Sequence, residues 1–415
     1  MNIKTASSWK MPFFKFWFTQ ALSLLGSGLA SFALVWWMTE STGSPIVLTT
    51  VSLATLLPGI LLGPLAGTLV DQLDRKWIIV IADASSALLA LILMTLFWSG
   101  NIQLWHIVVI NIVRGLAGAF HFPAMQSSTS LMVPKEQLAR VAGLNQALQG
   151  VSMIATPPLG ALLLTLLPIH IILGLDVITA ALAICLLLSI KIPQQIITRR
   201  PTTVWQEMRS GFAFIKQWTA LLNIMGIAML LNLVLVPAFT LIPILITQYF
   251  NGSAFQLAWM NAAYGLGIVC GGVFLGIWGG FKKRIYTSLL GLVGLGIGSL
   301  MIGLSPRDAY WTAVTGMALL GIMNAFTNGS FFATLQSVIP PEMQGRVFTV
   351  LMSVSTAATP IGLALAGPLA NQFGVQVWYL LSTLICTGIV LWIIFHPEIL
   401  QLEEKRIHLE QAISH

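Results

Sequence analysis

Charge is what this chain has least of. Only 8% of its 415 residues are Asp, Glu, Lys or Arg, against roughly 25% in an ordinary soluble domain. No stretch is long and polar enough to build such a domain. Cysteine is scarce too. Cys185, Cys270 and Cys386 all fall inside apolar runs, without the spacing of a zinc site or a disulfide framework. They read as small core residues, and no metal or other cofactor is expected. There is no nucleophile constellation and no phosphate-binding loop, which argues against an enzyme and against ATP as a driver. What fills the chain is apolar: 57% of residues are hydrophobic and the mean hydropathy is +0.88. A net charge of +7 would suggest a nucleic-acid partner in a soluble protein. Here the placement of the bases accounts for it, and no nucleic acid is expected.

Apolar runs of the length a helix needs to cross lipid, about 20 residues, occupy roughly 13–38, 46–70, 77–98, 104–131, 141–167 and 169–190. They resume at roughly 219–249, 254–279, 285–304, 310–338, 346–370 and 376–396. The first is too long for a signal peptide and lacks a small-residue cleavage site. Backbone groups in lipid must be satisfied within each segment, so these runs predict an all-α transmembrane chain of twelve helices. The expected parts are a six-helix bundle at 1–190, a linker at 191–218, a second six-helix bundle at 219–396 and a tail at 397–415. In the linker, Trp205, Met208, Phe212 and Ile215 have helical spacing between two tryptophans, Trp205 and Trp218. That pattern suits a helix lying on the membrane surface. The tail, with Glu403-Glu404-Lys405-Arg406, reads as a short solvated helix.

Sidedness follows from the bases. With the amino terminus inside, every lysine and arginine except Arg114 and Arg307 lies in the amino-terminal segment, the even-to-odd loops, the linker or the tail. Membrane proteins gather these residues on the cytoplasmic side, so both termini are expected there.

The two halves repeat one another. A charged hinge, Gly67-Thr68-Leu69-Val70-Asp71-Gln72-Leu73-Asp74-Arg75-Lys76, has a weaker copy in Gly276–Arg284, where Gly280 stands in the place of Asp71. Arg114–Phe120 aligns with Leu320–Phe326, Pro134–Arg140 with Pro340–Arg346, and Ala155-Thr156-Pro157 with Ala358-Thr359-Pro360. Two parallel six-span halves are the ground plan of a large transporter class whose binding sites lie near the bilayer midplane.

On these residues the chain resembles the major facilitator superfamily of twelve-span transporters over essentially its whole length. Gly67, Asp71, Arg75 and Lys76 match the family's loop signature, from which Gln72 and Asp74 depart. Arg114 and Gly118 match its fourth-span signature. Its fifth-span antiporter signature is met at Gly143, Pro157 and Gly160, with Ser152, Thr156 and Ala161 in place of glycines. Within the superfamily, Thr39–Ser44, Ala119–Ala124 and Val133–Leu138 resemble bacterial macrolide-efflux-type exporters, a branch that includes siderophore exporters. The resemblance implies two pseudo-symmetric six-helix halves and a monomer in the inner membrane of a bacterium. It further implies a proton-driven exporter of lipophilic or amphipathic compounds working by alternating access. A siderophore or metabolite exporter and an uptake symporter are the alternatives.

Candidate residues are few because a charge deep in lipid costs roughly 2.5–3.5 kcal/mol on insertion scales and asks for a partner or a wet cavity. Asp83 in the third run, Arg114 in the fourth and Asp176 in the sixth stand inside the first half. His121 shares the Arg114 face by its seven-residue spacing. The apolar runs of the second half hold no acid or base in their interiors, so proton coupling is assigned to Asp176, Arg114, Asp83 and His121. Asp176 leads, because apolar surroundings help a carboxyl hold a proton and an approaching cation expels it. Asp83 has the alternative of a structural pairing with Arg75 or Arg140. A cytoplasmic gate is assigned to Gly67, Asp71, Asp74, Arg75, Lys76 and Arg140. Family geometry places the first, fourth, seventh and tenth spans around the substrate. That choice offers Phe32, Trp36, Asn232, Phe239, Asn324, Phe326 and Asn328, a mixture of rings and amides suited to a bulky amphipath. Pro237 and Pro243 are expected to kink the seventh span.

Overall fold

The computed structural model describes residues 9–190, 192–193, 204–396 and 400. The expected tail helix and most of the linker ahead of residue 204 lie outside these residues. Among the described residues there is no strand. The first half contains α1 (Lys10–Thr42), α2 (Pro45–Gln72), α3 (Arg75–Trp98), α4 (Leu104–Met132), α5 (Leu138–Leu166) and α6 (Ile169–Leu188). After α7 (Val204–Gln217) come α8 (Thr219–Thr240), α9 (Ile242–Ile244), α10 (Ala254–Trp278) and α11 (Arg284–Gly303). α12 (Tyr310–Val338), α13 (Pro341–Ala357), α14 (Thr359–Phe373) and α15 (Gln376–Phe395) complete the chain. Twelve helical segments are long and apolar enough to cross a membrane, one of them running from Met343 to Phe373 through α13 and α14.

The chain forms two compact units, Met1–Ser41 with Thr50–Pro201 and Thr42–Thr49 with Thr202–His415. In the first, α3 packs against α4 and α6. One end is closed by a cluster to which α1 gives Phe13 and Phe16, α3 gives Ile79 and Val80, and α6 gives Leu187. In the second, α12 packs against both α10 and α11. Apolar faces gain nothing from leaving lipid, so helices there associate by close van der Waals approach at small residues. Gly321 of α12 lies against α10 so closely that a Cβ would stand 2.2 Å from the carbonyl oxygen of Tyr264. Gly115 of α4 meets the Thr55 carbonyl of α2 in the same way in the first unit.

The prolines act as their chemistry demands. Pro237 lies inside α8 and has no N–H to offer the carbonyl four residues back, that of Leu233. Gly362 of α14 packs directly over that oxygen, where a Cβ would come within 2.1 Å of it. Around the same proline α15 supplies donors. Trp378 Nε1 donates to the Val234 carbonyl at 2.8 Å, and the Tyr379 hydroxyl to that of Ala238 at 2.9 Å. The seventh span then breaks at Leu241, continues through α9 and ends in a π turn over Leu245–Tyr249.

The repeated Ala-Thr-Pro triplet behaves differently in its two settings. α5 runs unbroken through Pro157 and Pro158, whereas the eleventh span divides at Ala358 into α13 and α14. α7 forms where the linker pattern predicts a helix and is anchored to the second unit. Ile215 is fully buried in a cluster with Leu221, Val347 and Leu351. Gly211 lies so near α13 that a Cβ would be 2.7 Å from the Arg346 carbonyl oxygen. Phe212 faces outward.

Candidate functional site

Each unit encloses a cavity of about 290 Å³. The first is walled by α1, α3, α4 and α5, and its polar side chains include Gln20, Ser27, Asp83, Arg114, His121, Asn145 and Gln149. Arg114 Nη2 donates to Asp176 Oδ2 at 2.5 Å, and the hydroxyl of Ser27 donates to Asp176 Oδ1 at 2.8 Å. Asp176 is 2% exposed and stands behind Arg114, whose side chain reaches the cavity. Three helices thus meet on one carboxylate: α1 through Ser27, α4 through Arg114 and α6 through Asp176 itself. Charge-assisted bonds of this kind are about twice as strong as neutral ones. Removing one partner strands a buried charge.

A second pair lies in the same cavity. His121 Nε2 stands 3.2 Å from Asp83 Oδ1, without the alignment of a hydrogen bond. Asp83 is 6% exposed. Its partner is therefore His121 and neither Arg75 nor Arg140, the two bases offered by the sequence. The seven-residue spacing does bring Arg114 and His121 to one face, since both line the cavity.

The cavity of the second unit has a different chemistry. Asn232, Phe239, Asn324 and Asn328 line it as expected, joined by Tyr264, Ser288, Thr327 and Phe331, and no Asp, Glu, Lys, Arg or His is among its lining residues. The Asn232 amide donates to the Ala228 carbonyl at 2.9 Å, and that of Asn328 to Asn324 Oδ1 at 3.1 Å. With their amide nitrogens occupied in this way, Asn232 and Asn328 keep their side-chain oxygens as acceptors. The rings of Phe239 and Tyr264 meet at 4.5 Å.

Three of the expected substrate residues line neither cavity. Phe32 packs over Gly160. Trp36 is buried among the helices. Phe326 is 3% exposed and stacks on Phe274 at 5.9 Å, on the α10 side of α12. All three are aromatic and lie on helices expected at the substrate, but an aromatic in a crowded bundle packs where it finds a wall. The residues the sequence did not nominate had a signal nonetheless. Gln20 and Ser27 are seven apart on α1, and Asn145 and Gln149 four apart on α5, the spacings that put polar groups on one helix face.

The hinge residues have local partners. Asp74 caps α3, accepting from the backbone N–H groups of Lys76 at 2.9 Å and Trp77 at 3.4 Å. Lys76 Nζ donates to the carbonyls of Leu188 and Ile190, both at 2.8 Å, covering acceptors that the end of α6 leaves open. Arg75 is buried and Arg140 exposed. Gly67 and Asp71 fall in the last two turns of α2, and the side chain of Asp71 is outside the described set. In the second copy of the hinge α10 ends on Gly279 with φ 78°, a left-handed cap that glycine adopts freely. Arg284 there donates to the Ala333 carbonyl of α12 at 3.0 Å.

The comparisons with known proteins agree with this architecture. The family model described as transmembrane secretion effector matches residues 6–410. Macrolide efflux protein A of Streptococcus pyogenes is 33% identical over 389 residues, covering 92% of this chain and 96% of that protein. The multidrug efflux pump Tap of Mycobacterium tuberculosis is 24% identical, covering 91% of this chain and 92% of its own. Among solved structures, a bacterial homologue of the human lysosomal transporter Spinster superposes with a TM-score of 0.70 at 11% identity, covering 97% of this chain and 98% of that one. The nucleoside transporter NupG superposes with a TM-score of 0.67 at 12% identity, covering 92% and 98%. These last two likenesses show the shared fold. Taken with the twelve apolar spans, the matches show that this chain is a multi-pass membrane protein, not an enzyme, and that it belongs to the major facilitator superfamily as an efflux transporter of the transmembrane secretion effector family.

Proposed function

We propose that the protein exports lipophilic or amphipathic compounds of the macrolide kind across a bacterial inner membrane, in exchange for protons, by alternating access. Both termini would lie in the cytoplasm, a reading that the distribution of lysine and arginine supports. The names of the relatives, macrolide efflux protein A and multidrug efflux pump Tap, support the direction of transport and the breadth of the cargo.

The observation that carries the proton half of the proposal is the buried contact between Arg114 and Asp176. A coupling site needs an acid that keeps a proton when its counter-ion is withdrawn and surrenders it when the counter-ion returns. That role is assigned to Asp176, because its cation comes from another helix and reaches the cavity. A small displacement of α4 against α6 would lengthen the contact and change which cation, proton or guanidinium, neutralises the carboxylate. The second unit offers no such group in its cavity, so coupling is assigned to the first. Asp83 and His121 form the other titratable pair of that cavity, and the hinge around Asp71, Asp74, Arg75 and Lys76 is assigned to gating with Arg140.

The test is transport by the purified chain in proteoliposomes under an imposed pH gradient, with a panel containing macrolides and siderophores. Gradient-driven efflux of the macrolides is expected, and Asp176→Asn is expected to abolish it while ligand still binds. Efflux that continues unchanged in that variant would remove Asp176 from the mechanism.

A further inference from the structure

α7 has 14 residues and is not one of the twelve spans. At its length of about 21 Å it falls short of the roughly 30 Å of hydrocarbon. Its sides differ in kind. The linker pattern offers Met208, Phe212 and Ile215 as one apolar face, and the structure divides them. Met208 and Ile215 pack in the cluster with Leu221 and Val347, and Gly211 lies against α13 between them. This is the side that the second unit holds. At 3.6 residues per turn, Gln206, Ala213 and Gln217 fall opposite it, all three exposed. That polar back suits water.

Between these two sides, about 100° round the helix from the held one, runs a third stripe: Arg209, Phe212 and Lys216, spaced three and four apart. Both bases are exposed, and neither has an ion-pair or hydrogen-bond partner among the described residues. The ring between them is 43% exposed. A third base, Arg346, likewise exposed and unpaired, belongs to α13 at the point where its carbonyl meets Gly211. Bases without a protein acid call for an anion from elsewhere, and a ring set among them calls for an apolar neighbour. Helices that lie in a bilayer interface meet both needs at once, with rings at the acyl boundary and bases at the lipid phosphates. We infer that this stripe is a docking surface for anionic phospholipid. The phosphates pair with Arg209 and Lys216, Arg346 adds its charge, and Phe212 enters the boundary between headgroups and acyl chains. Because α7 is fastened to α13 through Gly211 and Ile215, lipid held here bears directly on the start of the eleventh span. The inference is independent of cargo and of proton coupling.

Lipid binding to the purified full-length protein in detergent tests it. Fluorescent phosphatidylglycerol is compared with phosphatidylcholine carrying the same label and chains. Wild type is expected to prefer phosphatidylglycerol. Arg209→Gln and Lys216→Gln are each expected to cut that preference about fivefold, the worth of one base near an anionic surface, and Arg209→Lys to keep it. Phe212→Ala is expected to weaken both lipids and leave the preference in place. The charge-matched control is Lys10→Gln combined with Lys282→Gln, two exposed bases on other segments, and its preference should stay near that of wild type. Equal binding of the two lipids by wild type overturns the assignment. An equal loss in the charge-matched control also overturns it, by making the attraction a general effect of net charge. Displacement of the labelled lipid by glycerol 3-phosphate as readily as by unlabelled phosphatidylglycerol overturns it as well, because the stripe would then serve a soluble anion.

Discussion

The two cavities are equal in volume and opposite in character. In the first unit, four ionisable side chains are drawn together from three helices, with an ion pair at the centre. In the second, asparagines and aromatic rings do the lining, and every asparagine amide that is bonded uses a carbonyl of its own helix or a neighbour one turn away. Two halves copied from one plan have diverged into a charged chamber and a neutral one. The difference teaches that duplication preserved the frame while the costly charges were kept in one place. A second set of buried charges would exact another desolvation penalty of several kcal/mol per ion without adding a second source of energy. The proposed proton coupling has its titratable groups in the first unit's cavity, while the lining of the second offers amides, hydroxyls and rings.

Substitutions can break or sharpen this contrast. The largest effect is expected from Arg114→Ala, which leaves Asp176 buried without its cation and should destabilise the protein by about 3–5 kcal/mol. Thermal melting in detergent would show it, and a double variant with Asp176→Asn should recover much of the loss. A smaller loss, about 1–3 kcal/mol, is expected from Gly321→Val, because the new side chain meets the α10 backbone. It should appear in melting with no change in ion dependence, which separates packing in the second unit from electrostatics in the first. Asp74→Ala removes the α3 cap and should cost about 1 kcal/mol by melting. The smallest effect is a matter of recognition. Asn232→Leu should weaken binding of a hydroxyl-bearing cargo by about 0.5–1.5 kcal/mol, read as a few-fold change in dissociation constant, while the pH dependence of efflux stays as in wild type. A change in that pH dependence would dissolve the contrast.

Much of this was legible in the sequence, for reasons that differ by residue. Twelve spans could be counted because lipid forces a length and a composition on each. Arg114 and Asp176 could be nominated because a charge in an apolar run is conspicuous. Their mutual contact could not, since nothing in one dimension says that residues 62 apart share a bond. Asp83 was visible but its neighbour was not: its depth in the span allows a base at the cytoplasmic edge, and His121 of another helix stands beside it instead. Aromatic residues carried the least information. Phe239 lines its cavity while Phe326 fills a helix–helix seam, and the two look alike as letters. Asp74 departs from the family's loop signature, and the structure gives the departure a use as the cap of α3.

The surroundings of Pro237 have a bearing on motion. The Leu233 oxygen has lost its helical donor and is shielded by Gly362, while indole and phenol groups from α15 grip the neighbouring peptide oxygens. Sliding or turning α8 alone would strand the buried Trp378 and Tyr379 donors, and each orphaned polar group in lipid costs several kcal/mol. Whatever rearrangement accompanies a transport cycle, α8, α14 and α15 are thereby bound to travel as a single block.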